Sequence, residues 1–154
     1  MNILLGADHR GAEAVRLLAG KLRREGHAVE VVGATGAEPC DYPEPAFTVA
    51  RRVAAGGADR GVLICGTGIG MCIAANKVAG VRAAVVHDEI TADMSRAHAD
   101  SNVLCLSGDL LGQRLIEKIT EVWLTTPFAG GRHARRVRKI EAIERGQDPA
   151  SVKD

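Results

Sequence analysis

A thiol set against bare backbone is the first feature of this chain with chemical consequences. In GVLICGTGIGMCIAANK, residues 61–77, an apolar run ends in Cys65, and Gly66, Gly68 and Gly70 follow with Thr67 and Ile69 between them. Glycines leave several backbone N–H groups unobstructed, and such a turn before a helix draws negative charge through oriented amides and the helix dipole. A cysteine placed there faces the same field. Two chemistries suit the combination. Cys65 can take a proton from a carbon next to a carbonyl while the amides hold the enediolate oxygen. It can also attack as a nucleophile in acyl transfer. The plainer alternative is packing, because thiols that end apolar runs are usually small buried hydrophobes. Glycine-rich turns of this kind are more often nucleotide or phosphate cradles, but both nucleotide fingerprints fail here. The G-x-G-x-x-G pattern needs glycine where Met71 stands, and the P-loop pattern has no match around Lys77.

Other candidates lie far apart in the chain. Asp8 and His9 follow a short apolar run, and two titratable groups at such a rim suit ring opening and proton transfer in a sugar. His98, in SRAHADSNVL, is a lone histidine near a helix end, more often a surface or capping residue. Arg132 and Arg136 are four apart, so they share one helix face beside the Val137, Ile140, Ile143 stripe. Two guanidinium forks on one stripe can clamp a phosphate. A solvated basic face is the bland reading, and nucleic-acid binding lacks interleaved aromatics and overall basicity.

Positioning these residues requires a regular scaffold. Apolar runs at 2–7, 28–32, 62–65, 82–86 and 103–106 predict strands. Helical spacing over 10–25, 43–55, 69–77, 90–99, 110–124 and 132–144 predicts helices between and after them. Strands that are almost wholly apolar and alternate with helices predict a parallel sheet covered on both faces. The expected fold is α/β, a doubly wound five-stranded Rossmann- or flavodoxin-like three-layer sandwich of order 2-1-3-4-5, with an extra C-terminal helix. Ligands bind such sheets at the C-terminal strand ends, where the winding reverses. That point lies between strands 1 and 3, so Asp8, His9, Cys65 and Thr67 are expected in one crevice. The sixth helix has no strand to follow and either packs on the domain's end or reaches a partner subunit.

Composition narrows the classes. With 154 residues, 46% hydrophobic and 25% charged, the chain reads as one domain over 1–146 with a polar tail at 147–154. A net charge of +1 gives no argument for nucleic acid or a membrane surface. No apolar run approaches the ~20 residues of a membrane span, and MNILLGADHR has no signal-like leader, so a cytoplasmic protein is expected. Cys40, Cys65, Cys72 and Cys105 form no C-x-x-C pair, which leaves zinc-ribbon and thioredoxin readings without support. Reduced thiols are expected.

Taken together, GADHRG (6–11), DYP (41–43), ICGTGIGMCIAANKVAGVRAA (64–84), SRAHADSNVL (95–104) and GGRHARRV (130–137) resemble the type B ribose-5-phosphate isomerase family, which includes the galactose-6-phosphate isomerase subunits. The resemblance runs over about 2–144. It implies aldose–ketose isomerisation of a sugar phosphate without metal or organic cofactor, most simply ribose 5-phosphate to ribulose 5-phosphate of the pentose phosphate pathway. By that resemblance Cys65 is the base that moves the proton between C1 and C2. Thr67 and the amides of Gly66, Gly68, Ile69, Gly70 and Met71 stabilise the enediolate. His98 opens the sugar ring, aided by Asp8. Tyr42 forms a wall of the pocket, and His9, Arg132 and Arg136 bind the phosphate. Members that lack the cysteine use a glutamate at the place of Met71, so the cysteine-type assignment applies here. The resemblance also implies a homodimer or dimer of dimers with sites between subunits.

Two residues depart from the family pattern. Ala99 stands where an asparagine usually binds sugar hydroxyls, and Asp109 where ribose-phosphate members usually carry an arginine near the phosphate. The proton-transfer residues are whole and the sugar-reading residues altered. Another aldose phosphate is therefore a competing substrate: a tetrose such as erythrose/erythrulose 4-phosphate, or a hexose 6-phosphate. A non-catalytic sugar-phosphate-binding paralogue and a thiol-dependent transferase or hydrolase are the remaining alternatives.

Overall fold

A computed structural model describes residues 1–36 and 38–153, so Asp154 of the expected tail lies outside the described residues. Strands β1 (Asn2–Ala7), β2 (Ala28–Gly33), β3 (Arg60–Cys65), β4 (Ala83–Val85) and β5 (Val103–Ser107) alternate with helices α1 (Ala12–Arg24), α2 (Pro43–Ala54), α3 (Ile69–Ala75) and α4 (Glu89–Ala99). Helices α5 (Gln113–Thr125) and α6 (Arg132–Glu144) and a 3-10 turn at Pro149–Ser151 follow. Every strand pairing is parallel.

The α/β sandwich expected from the sequence is therefore present, but one edge of the sheet differs. The order is β2-β1-β3-β5-β4, not 2-1-3-4-5. The physical reason is visible in the strands. All five residues of β5, VLCLS, are buried, as a central strand covered on both faces must be. The three of β4, AAV, are each only partly buried, which suits an edge. Both read as apolar runs in the sequence, and the period alone does not order them.

Strand alternation divides the core into two layers. Ile3, Leu5, Val62, Ile64, Leu104 and Leu106 pack with Val15, Leu18 and Leu22 of α1 and with Ile116, Ile119 and Trp123 of α5. Leu4, Leu63, Cys65, Val103 and Cys105 point to the opposite face, against Ala46, Val49 and Val53 of α2 and Met71 and Ala75 of α3. The α2 layer sits close because its contact residues are small. A Cβ at Gly6 would stand 2.9 Å from Val49 Cγ2. On the other face, a Cβ at Gly11 would meet the Ile64 carbonyl oxygen at 2.0 Å, so only glycine lets the turn into α1 lie against β3. Trp123, fully buried, donates its indole N–H to Ser101 Oγ at 2.8 Å.

Among the described residues no helix is long and apolar enough to cross a membrane. The four cysteines are free of disulfides.

Candidate active site

The ends of β1, β3 and β5 converge, and backbone bonds hold them together. The Gly108 N–H donates to the Cys65 carbonyl at 2.8 Å, and the Asp109 N–H donates to that of Gly66 at 3.1 Å. Ser107, fully buried, donates its hydroxyl to the Gly66 carbonyl at 2.5 Å and accepts the Leu110 N–H at 2.9 Å. These bonds extend the β3–β5 ladder past the last paired residues, Cys65 and Ser107. The observed strand order matters here. With β4 between them, β3 and β5 would not touch, and Asp109 would lie two strands from Cys65.

Cys65 closes β3 with 4% of its surface exposed. Its Sγ accepts the Gly68 N–H at 3.1 Å, which fixes the sulfur at the head of the glycine turn. Gly68 has φ +79° and lies against β5, where a Cβ would stand 3.0 Å from the Leu106 carbonyl. Both facts require glycine at that position. Thr67 is exposed, and its Oγ1 accepts the Ile69 N–H at 3.3 Å. Tyr42 packs its ring on the first turn of α3, because a Cβ at Gly70 would meet Tyr42 Cε2 at 2.6 Å. The aromatic wall and the glycine turn are thus adjacent.

From β1, Asp8 is buried and accepts the N–H groups of Arg10 at 2.9 Å and Gly11 at 3.0 Å through Oδ1. It shapes the turn into α1. His9 is half-buried and holds the loop before α2, with Nδ1 3.3 Å from both the N–H and the carbonyl oxygen of Cys40. Asp109 turns to Arg10, whose Nε donates to Oδ2 at 2.8 Å. The crevice expected at the C-terminal strand ends therefore gathers Asp8, His9, Tyr42, Cys65, Gly66, Thr67, Gly68, Ile69, Gly70 and Asp109.

His98, Ala99, Arg132 and Arg136 lie elsewhere. Helix α4 runs back from the C-terminal edge of the sheet, so its last residues reach the N-terminal edge. Arg82, just before β4, donates to the carbonyls of Ala99 at 3.1 Å and Asp100 at 3.0 Å there. Exposed His98 stacks on His133 of α6, ring centroids 4.2 Å apart and 4° from parallel. Arg132 Nε reaches His133 Nε2 at 3.5 Å, and Arg132 and Arg136 are exposed. His133 is buried, and its Nδ1 has no hydrogen-bond partner. Burial, then the charges of His98, Arg132 and Arg136, hold its pKa below the ordinary histidine value. The two groups are separated by the length of the central strands, ~3.3 Å per residue. One chain does not bring His98 to Cys65, or to the Asp8 expected to assist it.

Sequence reasoning missed Arg10, Ser107 and His133. The polar SGD that ends β5 was the available signal for Ser107. Arg10 and His133 carried no local one, since their partners are distant in sequence or on another helix. Among the described residues no group of three or more His, Cys, Asp or Glu side chains is placed to hold a metal ion.

Comparison with known proteins places the chain in a family. Residues 3–140 match the family described as Ribose/Galactose Isomerase. Ribose-5-phosphate isomerase B of Escherichia coli is 43% identical over 142 residues, 92% of this chain and 95% of that one. D-erythrulose-4-phosphate isomerase of Pectobacterium atrosepticum is 38% identical, covering 94% of this chain and 95% of that one. The crystal structure of Mycoplasma genitalium ribose-5-phosphate isomerase B with bound ribulose-5-phosphate superposes with a TM-score of 0.90 at 41% identity, covering 94% of this chain and 96% of that one. A family match over nearly the whole chain and a fold shared at a TM-score of 0.90 lead to one conclusion: the chain belongs to the ribose/galactose isomerase family.

Proposed function

We propose that the protein interconverts an aldose phosphate and a ketose phosphate through an enediolate, with ribose 5-phosphate and ribulose 5-phosphate as the substrate pair. The observation that carries this reading is the Cys65 sulfur, held 3.1 Å from the Gly68 N–H at the head of the glycine turn that opens α3. In the forward direction Cys65 takes the proton from C2 of the open-chain aldose. The electron pair moves into the C1–C2 bond and the carbonyl oxygen becomes the enediolate oxygen, held by the amides from Gly66 to Met71. Return of the proton to C1, with transfer of the C2 hydroxyl proton to O1, leaves the ketose. Thr67 stands beside the amides, and Tyr42 walls the sugar. The amide donors supply the charge stabilisation, so the reading requires no metal or cofactor.

Ring opening by His98 and phosphate capture by Arg132 and Arg136 are supplied by a second copy of the chain. Their position at the opposite edge of the sheet supports this. The working unit is accordingly a homodimer or dimer of dimers, with each site between subunits and His9 meeting the phosphate from the Cys65 side. A cytoplasmic location fits such metabolism.

Erythrose/erythrulose 4-phosphate is the second reading. The relative named D-erythrulose-4-phosphate isomerase favours it, together with Ala99 and Asp109, which alter the sugar-reading positions. The test is a coupled isomerisation assay in EDTA with ribose 5-phosphate and erythrose 4-phosphate, in D2O and H2O. Turnover that survives EDTA, labels C1 or C2 with deuterium and disappears in Cys65→Ala is the expected result. The ratio of kcat/KM values assigns the sugar. Absence of turnover or of label with both sugars sinks the reading.

A further inference from the structure

Arg10 and Asp109 are 99 residues apart and meet across the glycine turn. Nε of Arg10 donates to Asp109 Oδ2 at 2.8 Å, and Nη2 lies 2.7 Å from the same oxygen. The pair arches over the loop. A Cβ built on Gly66 would stand 2.9 Å from Asp109 Oδ2 and 3.1 Å from Arg10 Nε. Their side chains are 56% and 34% exposed, and a surface pair of that kind contributes little to stability. Stability does not account for its place.

A guanidinium has more than one edge that can grip an oxyanion. Here the Nε–Nη2 edge is taken, and the described residues place no partner on Nη1. The outer Nη1–Nη2 edge is open, beside a turn of N–H donors and one residue from His9. We propose that Arg10 is a further substrate-binding residue that grips the phosphate of the substrate, and that Asp109 is the residue that positions it. This assignment rests on the sugar-phosphate reading above. A carboxylate on one edge fixes the guanidinium plane, and an incoming dianion takes the other, with charge assistance in both bonds. Holding the fork beforehand removes rotamer freedom otherwise lost on binding. It also reconciles an aspartate with a phosphate site, because its charge is engaged by Arg10.

Inorganic phosphate separates this assignment from turnover. It is titrated calorimetrically, and as a competitive inhibitor, against the wild-type protein, Arg10→Ala, Arg10→Lys, Asp109→Ala and Asp109→Asn. Arg10→Ala is expected to weaken phosphate binding by about tenfold or more and to raise KM for the sugar phosphate in step, with a smaller change in kcat. Arg10→Lys recovers part of the loss, as a point charge without a fork. Asp109→Ala weakens binding less than Arg10→Ala does. Asp109→Asn, whose amide oxygen still accepts from Nε, stays near the wild-type protein. Unchanged phosphate affinity in Arg10→Ala overturns the assignment, as does a wild-type protein that binds no phosphate. Affinity in Asp109→Ala equal to or above the wild type overturns the positioning role. Should either alanine variant fail to fold, the lysine and asparagine variants carry the comparison. A wild-type protein that binds phosphate through Arg10 but isomerises nothing sinks the isomerase reading alone. One that isomerises with no dependence on Arg10 sinks this assignment alone.

Discussion

The two edges of the sheet are built in different ways. At the C-terminal edge the functional atoms are held by backbone. Cys65 Sγ is bonded to the Gly68 N–H, and the turn is fastened to β5 through Ser107, Gly108 and Asp109. At the N-terminal edge the candidate groups are side chains at helix ends: His98 on a histidine stack, and Arg132 and Arg136 exposed on α6. Charge stabilisation profits from rigidity, because donors already aimed at the developing charge need no reorganisation. Ring opening and phosphate capture serve a ligand that must enter and leave. The difference suggests that the first edge is finished within one chain, and that the second awaits another surface.

The largest expected effect breaks the first edge. Cys65→Ala removes the proposed base and should lower kcat by ~10²–10⁴-fold. Its circular dichroism should be unchanged and its phosphate binding kept. A variant with a wild-type rate would return Cys65 to the packing role. The next test sharpens the comparison directly. Cys65→Ala and His98→Ala, each inactive alone, are unfolded and refolded together. In a two-fold dimer each mixed pair then holds one intact site, and about a quarter of the wild-type activity should return. No recovery would place both residues of each site in the same chain.

The smallest effect concerns the histidine stack. The folded pKa of His133 lies below its unfolded value of 6.5, so the unfolded chain binds the proton first. The stabilisation from neutral His133 is fully present above about pH 6.5 and is lost as pH falls through the folded value. The thermal midpoint of the wild-type protein should therefore drop on acidification. His133→Phe keeps a flat ring against His98 without a titrating group, and its acid limb should be shallower. Superimposable acid limbs would remove His133 from the account.

Much of this architecture was legible in the sequence because it is local. Each strand is a short apolar run, each helix has its spacing, and the cysteine, the glycines and Thr67 of the crevice sit within six residues. Strand order was not legible at the β4–β5 edge, because AAV and VLCLS differ in how they are covered and share the same pattern. The error had a chemical cost, since only the observed order sets Asp109 beside Gly66. As a sequence position Asp109 was only a departure from the arginine that the resemblance implies near the phosphate. Its partner Arg10 is 99 residues away. The His98–His133 stack was invisible for a similar reason: the two rings belong to helices that meet only in the fold.

The division of functional groups between opposite sheet edges also has a consequence for concentration. On the proposed function, a correctly folded single chain would carry a proton-transfer edge with no ring opener, and a phosphate clamp with nothing to deliver to. Fold stability and activity would then be governed by separate equilibria, one within the chain and one between chains. Dilution below the dissociation constant would silence the protein without unfolding any of it, and specific activity would report assembly.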